Sequence, residues 1–151
     1  MKILKYAPFL LLQVIVISGC DKSDDNTVPE VKEPTAKEIL VKNAWKVDEA
    51  IQNVNETTGH YVRGGTNTTG VNYDAIRLKF NADGTGTNTD VSGSTYNITW
   101  EFTSSNEQNM KIVINGVVVN LWNMLKISKD NILETSPFDN SMVSARWVPD
   151  L

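Results

Sequence analysis

Side chains that could carry chemistry are few in this chain of 151 residues, which has one cysteine, Cys20, and one histidine, His60. A single histidine with no cysteine near it cannot bind zinc by itself, and catalysis at His60 would require a nucleophile and an orienting acid from elsewhere. Residues 55–70 are rich in glycine, threonine and asparagine, which predicts a mobile loop that leaves His60 in solvent. The sequence therefore predicts no catalytic residue, no metal and no cofactor, and we expect a protein that is not an enzyme.

Oxygen-bearing side chains at alternate positions over residues 81–90 are similar in spacing to a calcium-binding loop. The segment lacks the glutamate that closes such a loop, and Asp83-Gly84 is typical of a tight turn between two strands. Asp48 and Glu49 give no better site, because neighbouring residues on a strand point to opposite faces. A hairpin is the favoured interpretation of residues 81–90.

The amino terminus has the three parts of an export signal, and they end at Cys20. Two lysines precede an apolar stretch over residues 7–17, which is too short to cross a bilayer as a helix. The segment Ile17-Ser18-Gly19-Cys20 resembles the bacterial lipobox, in which the cysteine thiol receives diacylglycerol. The resemblance implies that residues 1–19 are a lipoprotein signal peptide and that lipid on Cys20 anchors the protein to a membrane.

A polar, acidic stretch follows the cysteine. Residues 21–35 contain two prolines and five acids but little apolar surface, which predicts a flexible tether after the lipidated Cys20. Asp21 resembles a signal for retention in the inner membrane, whereas Ser23-Asp24-Asp25 resembles an acidic tag of surface lipoproteins, and a plain solvated spacer explains the same residues. We favour the tag, which places the protein in the cell envelope at the outer membrane, with the cell surface as its expected side.

The charge of the chain argues against one class of partner. The formal net charge is −4 at pH 7, and removal of the two signal lysines makes the mature chain more negative. The remaining lysines and arginines are scattered singly along the sequence. Because nucleic-acid binding depends on basic surfaces that neutralise phosphates, we do not expect nucleic acid as a partner.

Residues 36–151 carry the pattern of one small β domain. Thr35 and Glu38 have the spacing of a capping box, which predicts a short helix over residues 35–44. Apolar and polar residues then alternate along about eight to ten short segments, with tight-turn sequences between many of them. This alternation predicts an all-β fold, an antiparallel up-and-down β-barrel of about eight strands preceded by the short helix. The predicted strands cover residues 45–51, 75–80, 85–90, 96–102, 110–114, 117–119, 121–127, 132–135 and 142–148.

Several motifs together resemble the lipocalin-like domain of bacterial lipoproteins. They are the short helix, the tryptophan that opens the first strand, the run over residues 78–86 and the segment Trp100-Glu101-Phe102. The resemblance covers residues 36–151 and implies a lipocalin-like β-barrel. It also implies that Trp45 meets Arg146 through a cation–π contact that closes the base of the barrel.

Large apolar side chains on the predicted strands are either ordinary core or the wall of a pocket inside the barrel, and the candidate ligand contacts among them are Phe80, Tyr96, Trp100, Trp122 and Trp147. An eight-stranded barrel can be filled by side chains or can hold one small ligand. We expect a binding module that holds a small apolar or amphipathic molecule, and a cavity of roughly 300 Å³ or more would favour this function.

The alternative is a non-enzymatic structural or interaction subunit with a filled barrel, which docks on an envelope protein partner. Its contact would be a loop end or an exposed patch at Trp122 and Met124. On a regular strand these two side chains would point to the face opposite to that of Leu121 and Leu125, so both faces would carry apolar groups. This predicts either a bulge at Asn123 or a strand that is covered on both faces. By contrast, His60 beside two carboxylates in a cleft would favour an enzyme.

Overall fold

The computed structural model describes residues 32–138 and 141–151, except for the side chains of Met124 and Phe138. The predicted signal peptide, Cys20 and the tether up to residue 31 lie outside the described residues. Within the described ranges, no helix has the length and the apolar content that a membrane-spanning helix requires.

One short helix, α1 (Ala36–Leu40), precedes the strands. The Thr35 side chain accepts a hydrogen bond from the Glu38 backbone N–H, and the Glu38 carboxylate accepts one from the Thr35 backbone N–H. The predicted capping box is therefore confirmed. The helix is shorter than predicted, because the chain turns after Leu40 and Ala44 already belongs to the first strand.

Nine β-strands follow α1 in the described part of the chain. They are β1 (Ala44–Val54), β2 (Thr57–Val62), β3 (Arg77–Phe80), β4 (Thr85–Thr89), β5 (Thr95–Phe102), β6 (Met110–Ile114), β7 (Val117–Ile127), β8 (Ile132–Phe138) and β9 (Ser141–Pro149). The predicted hairpin over residues 81–90 is confirmed as the connection between β3 and β4.

The strands form one antiparallel sheet that closes into a barrel. Each strand from β3 to β9 pairs with the next one along the chain, and β9 pairs with β1. On its other edge, β1 pairs with β3 near its start and with β2 over its second half, so β2 and β3 share one place in the wall. The prediction of an all-β, up-and-down antiparallel barrel of about eight strands after a short helix is confirmed.

The sequence predicts a loop over residues 55–70, and this prediction is wrong for β2. Asn55 and Glu56 adopt φ angles of 46° and 66°, which make a tight turn whose twist suits two antiparallel strands. Neither residue is glycine, so the usual sequence signal of such a turn is missing. β2 therefore runs back along β1, and the buried Tyr61 lies opposite Ala50.

β7 is one strand rather than the two predicted segments. Trp122 and Leu125 are both buried, although they are three positions apart and would point to opposite faces of a regular strand. The register of β7 against β8 shifts between Asn123 and Lys126. The predicted bulge is confirmed, and it turns both apolar side chains towards the interior.

Aromatic side chains fill the end of the barrel at which β1 begins, here called the closed end. Ring centroids of Phe80 lie 5.3 Å from Trp100 and 6.0 Å from Trp122, in edge-to-face arrangements that aromatic pairs favour. α1 covers this end: Leu40 is fully buried, and its carbonyl accepts a 2.8 Å hydrogen bond from Nε1 of Trp45. The space for a ligand must therefore lie towards the opposite end.

Candidate ligand-binding cavity

A cavity of about 320 Å³ lies inside the barrel beyond the aromatic closed end. Its walls are mainly apolar and come from β1, β8 and β9 on one side. Val71 and Tyr73 from the segment before β3, Val91 after β4 and Val119 on β7 contribute the other side. The volume is at the lower end of the range for small-molecule sites.

Three rows of inward-facing residues across β1, β9 and β8 form one wall of the interior. The register places Val47, Trp147 and Ile132 in the row nearest the closed end, Ala50, Ala145 and Glu134 in the middle row, and Gln52, Val143 and Ser136 in the outer row. The middle row has the two smallest side chains of the set. Because alanine fills little volume, this row leaves space in front of the Glu134 carboxyl group.

Glu134 is a buried acid without a complete set of partners. Its residue is 5% exposed, and its Oε2 has no hydrogen-bond partner among the described residues. Burial raises the pKa of Glu134 to about 8, and the neighbouring Ser136 hydroxyl and Trp147 indole offset part of the rise. The indole N–H nevertheless reaches no acceptor at hydrogen-bonding geometry. Glu134 thus brings unmet hydrogen-bonding capacity to the cavity.

Two more buried polar atoms on residues that line the cavity also lack partners within residues 32–138 and 141–151. They are Oε1 of Gln52, an acceptor, and Nε1 of Trp147, a donor. Most buried polar groups in folded proteins have a partner, because an unpaired one costs about 1–3 kcal/mol. Three such groups around one cavity are typical of a site that a ligand or ordered water completes.

The segment between β2 and β3 is held against the barrel beside the cavity. The Arg63 guanidinium donates from Nε to the Val47 carbonyl at 2.6 Å and from Nη2 to the Tyr73 carbonyl at 3.2 Å. The Tyr61 hydroxyl donates to Oδ1 of Asp74 at 2.7 Å, and burial together with this bond raises the pKa of Tyr61 to about 12. These contacts position Tyr73 as part of the cavity wall.

The five predicted ligand contacts take different positions, and Trp147 is the member of the set that lines the cavity. Phe80, Trp100 and Trp122 are buried at the closed end, where they pack on one another. Tyr96 lies at the start of β5, on the same face of the strand as the buried Ile98 and Trp100. It is nevertheless 41% exposed and does not line the cavity. Alternation along a strand indicates the face of the sheet, whereas depth along the barrel axis depends on how the strands align.

Trp45 and Arg146 lie on opposite faces of the barrel wall, which corrects the implied cation–π contact between them. Trp45 is fully buried, whereas Nη2 of Arg146 lies 2.7 Å from Oδ2 of Asp48 and 3.3 Å from Oε2 of Glu49 outside the barrel. The register of β1 against β9 shifts at Asp48. Because of this bulge, Asp48 and Glu49 reach the same guanidinium, although strict alternation would separate them.

His60 lies on β2 rather than in the predicted solvated loop. Its Nε2 is 2.9 Å from Oε1 of Glu49, and its side chain is 44% exposed. The hydrogen bond to His60 lowers the pKa of Glu49, with a smaller contribution from the charge of Arg146. Among the described residues, the His60 ring has a hydrogen bond with this carboxylate and none with a hydroxyl group. The cluster is an ion-pair network on the outer surface that links β1, β2 and β9.

The predicted exposed patch at Trp122 is wrong, because the residue is fully buried. The side chain of Met124 lies outside the described part of the structure. Exposed aliphatic residues instead occupy the start of β7, where Val117 is 64% exposed and Val118 is 48% exposed.

Sequence reasoning missed Glu134, Gln52 and Tyr73 as cavity residues. The sequence does indicate the orientation of Glu134, because it lies two positions after Ile132 and both side chains therefore point to the inward face of β8. An acid at such a position is uncommon in a barrel interior unless it is paired. Gln52 lies beyond the predicted end of the first strand, and Tyr73 lies between strands, so neither had a predicted orientation.

Comparison of the chain with protein-family models, with curated proteins and with solved structures gave no match. The lipocalin-like resemblance therefore stays a prediction from the sequence. The case for a function rests on the geometry of the cavity.

Proposed function

We propose that this protein is an exported binding module that holds one small apolar or amphipathic molecule inside its barrel. The observation that carries the proposal is the cavity of about 320 Å³, whose largely apolar wall includes three unpartnered polar atoms. Small-molecule sites combine apolar walls with a few polar groups that orient the ligand. The aromatic residues of the closed end would form the floor of this site.

The cavity favours a binding module over a filled-barrel docking subunit. A protein that uses its barrel only as a scaffold gains stability when the interior is packed, since empty space forfeits dispersion contacts. Here packing is dense at the closed end, whereas the cavity leaves space beside Ala145 in the middle row. The burial of Trp122 also removes one of the two surfaces expected for docking, the other being a loop end.

Native mass spectrometry of the purified full chain tests the binding proposal. We expect a co-purified small molecule that is released on collisional activation. Ala145→Leu, which fills the cavity, should lose this molecule, whereas Ser144→Leu on the outer face of the same strand should retain it. A native chain without any bound molecule, and whose unfolding temperature no apolar or amphipathic compound raises, would contradict the proposal.

We also propose that lipid on Cys20 places this module at the outer membrane, with the acidic tether between lipid and barrel. The support is the resemblance of the segment before Cys20 to a lipobox. Fractionation of cells that express Cys20→Ala tests the anchor. We expect the variant to leave the membrane fraction, and a variant that stays with the membrane would contradict lipid attachment at this residue.

A further inference from the structure

The cavity contains acidic groups and no basic group among the described residues that line it. Glu134 lies on β8 and Asp90 lies at the end of β4. Hydrogen bonds from Ser92, followed by Ser94, lower the pKa of Asp90, so this carboxylate is charged at neutral pH. No basic side chain among the described lining residues balances these acids.

The two unpartnered acceptors of the cavity, on Glu134 and Gln52, lie on β8 and β1, the two neighbours of β9. Glu134 is in the middle row and Gln52 is in the adjoining outer row, with the short side chain of Ala145 beside Glu134 on the intervening strand. The aromatic rings of Trp147 and Tyr73 line the same space. An ammonium group donates up to three hydrogen bonds and is attracted to aromatic faces, so its needs match this set of groups.

We propose that the ligand is a small organic amine, whose ammonium group donates to Glu134 and Gln52 and whose apolar body lies against Trp147 and Tyr73. This inference rests on the proposed function of the cavity and names its ligand class. Asp90 lies beside the same cavity, in an exposed turn where its Oδ1 accepts hydrogen bonds from Ser92 and Ser94, and its charge favours the approach of a cation.

The pH dependence of ligand affinity distinguishes an amine site at Glu134 from a purely apolar site. In the empty cavity burial raises the pKa of Glu134 to about 8, whereas a bound ammonium ion favours the ionised carboxylate. Binding below this pH therefore releases a proton, and affinity should rise by up to about tenfold per pH unit until about pH 8. The other titratable lining groups are Asp90 and Tyr73, while Arg146 and Lys126 lie on the outer face of the wall.

Calorimetric titration of the full chain with phenethylamine, phenethyl alcohol and phenylacetate tests the inference, because these probes share one ring and differ in charge. We expect phenethylamine to bind at least about tenfold more tightly than either other probe. Glu134→Gln, which keeps the shape of the side chain, should remove this preference and the rise of affinity with pH. Ser144→Leu, on the outer face, should bind all three probes as the native chain does.

The outcomes separate this inference from the proposed function. Equal affinity for the amine and the alcohol, or tighter binding of phenylacetate, would overturn the amine inference and leave a cavity that binds amphipathic molecules. A Glu134→Gln variant that keeps the amine preference would overturn the assignment of Glu134. If none of the probes binds, the amine inference fails, and the proposed function fails as well only if no molecule co-purifies and no apolar or amphipathic compound raises the unfolding temperature.

Discussion

Glu134 on β8 and Ala145 on β9 are register partners, and both line the cavity. Because the partner is alanine, the carboxyl group faces open space where a larger residue would cover it. Ala50, the next residue in the same row, is also small. Ala145 lines the cavity and Ala50 does not, so the space in front of the unmet carboxyl group depends on the short side chain of Ala145.

Filling the middle row should affect stability differently at its two alanines. Ala145→Leu adds volume at the cavity, so we expect the free energy of unfolding to change by less than about 1 kcal/mol. Ala50 is fully buried and is not among the cavity-lining residues, so Ala50→Leu should overpack the wall and cost about 1–3 kcal/mol. Urea denaturation of both variants measures the difference, and equal losses would show that the space at Ala145 is not available.

The free energy of unfolding should fall as pH rises from about 4.5 to about 8. Glu134 has a pKa of about 8 in the folded chain and an ordinary carboxyl pKa in the unfolded chain. Within this window the unfolded chain has lost a proton that the folded chain keeps, so higher pH favours unfolding by up to about 1.4 kcal/mol per pH unit. Glu134→Gln should flatten this part of the profile in urea denaturation at several pH values, and an unchanged slope would contradict the raised pKa.

Gly86 on β4 has no space for a side chain. A Cβ atom at this position would overlap the backbone carbonyl oxygen of Lys79 and would approach Cγ1 of Ile98 to 3.2 Å. Because a paired backbone cannot move aside as a flexible side chain can, Gly86→Ala should cost more than about 2 kcal/mol. Gly65→Ala is the matched control, since its nearest neighbour would be 3.6 Å away. Thermal unfolding should show a large loss for the first variant only, and similar melting temperatures would refute the clash.

The hydrogen bond between Trp45 and the carbonyl of Leu40 should stabilise the closed end. Trp45→Phe removes the donor at 2.8 Å and leaves a buried carbonyl unpaired, which costs about 1–3 kcal/mol beyond the lost packing. Trp147→Phe makes the same chemical change at an indole N–H without a partner among the described residues. Chemical denaturation should therefore show the larger loss for Trp45→Phe, and the reverse order would argue against this role of the bond.

Local signals predicted most of the fold correctly. The capping box at Thr35 and Glu38 and the Asp83-Gly84 turn depend on residues a few positions apart, so their physics is contained in short segments. β2 escaped prediction because its turn places positive φ angles on Asn55 and Glu56, neither of which is the glycine that usually signals such a turn. The exposure of Tyr96 was not predicted either. The alternation of side chains along a strand indicates which face they point to, but not where the strand reaches the end of the barrel.

The sequence by itself determined the class of fold and the inward side of the regularly alternating strands, such as β3 and β5, because the period of two along an extended chain is a local property. Only the tertiary structure decided which inward residues share a space. Gln52, Ala145 and Glu134 line one cavity because β9 pairs with both β1 and β8 in one particular register. That register depends on packing, turns and bulges around the whole barrel, so it cannot be predicted from any single segment of the chain.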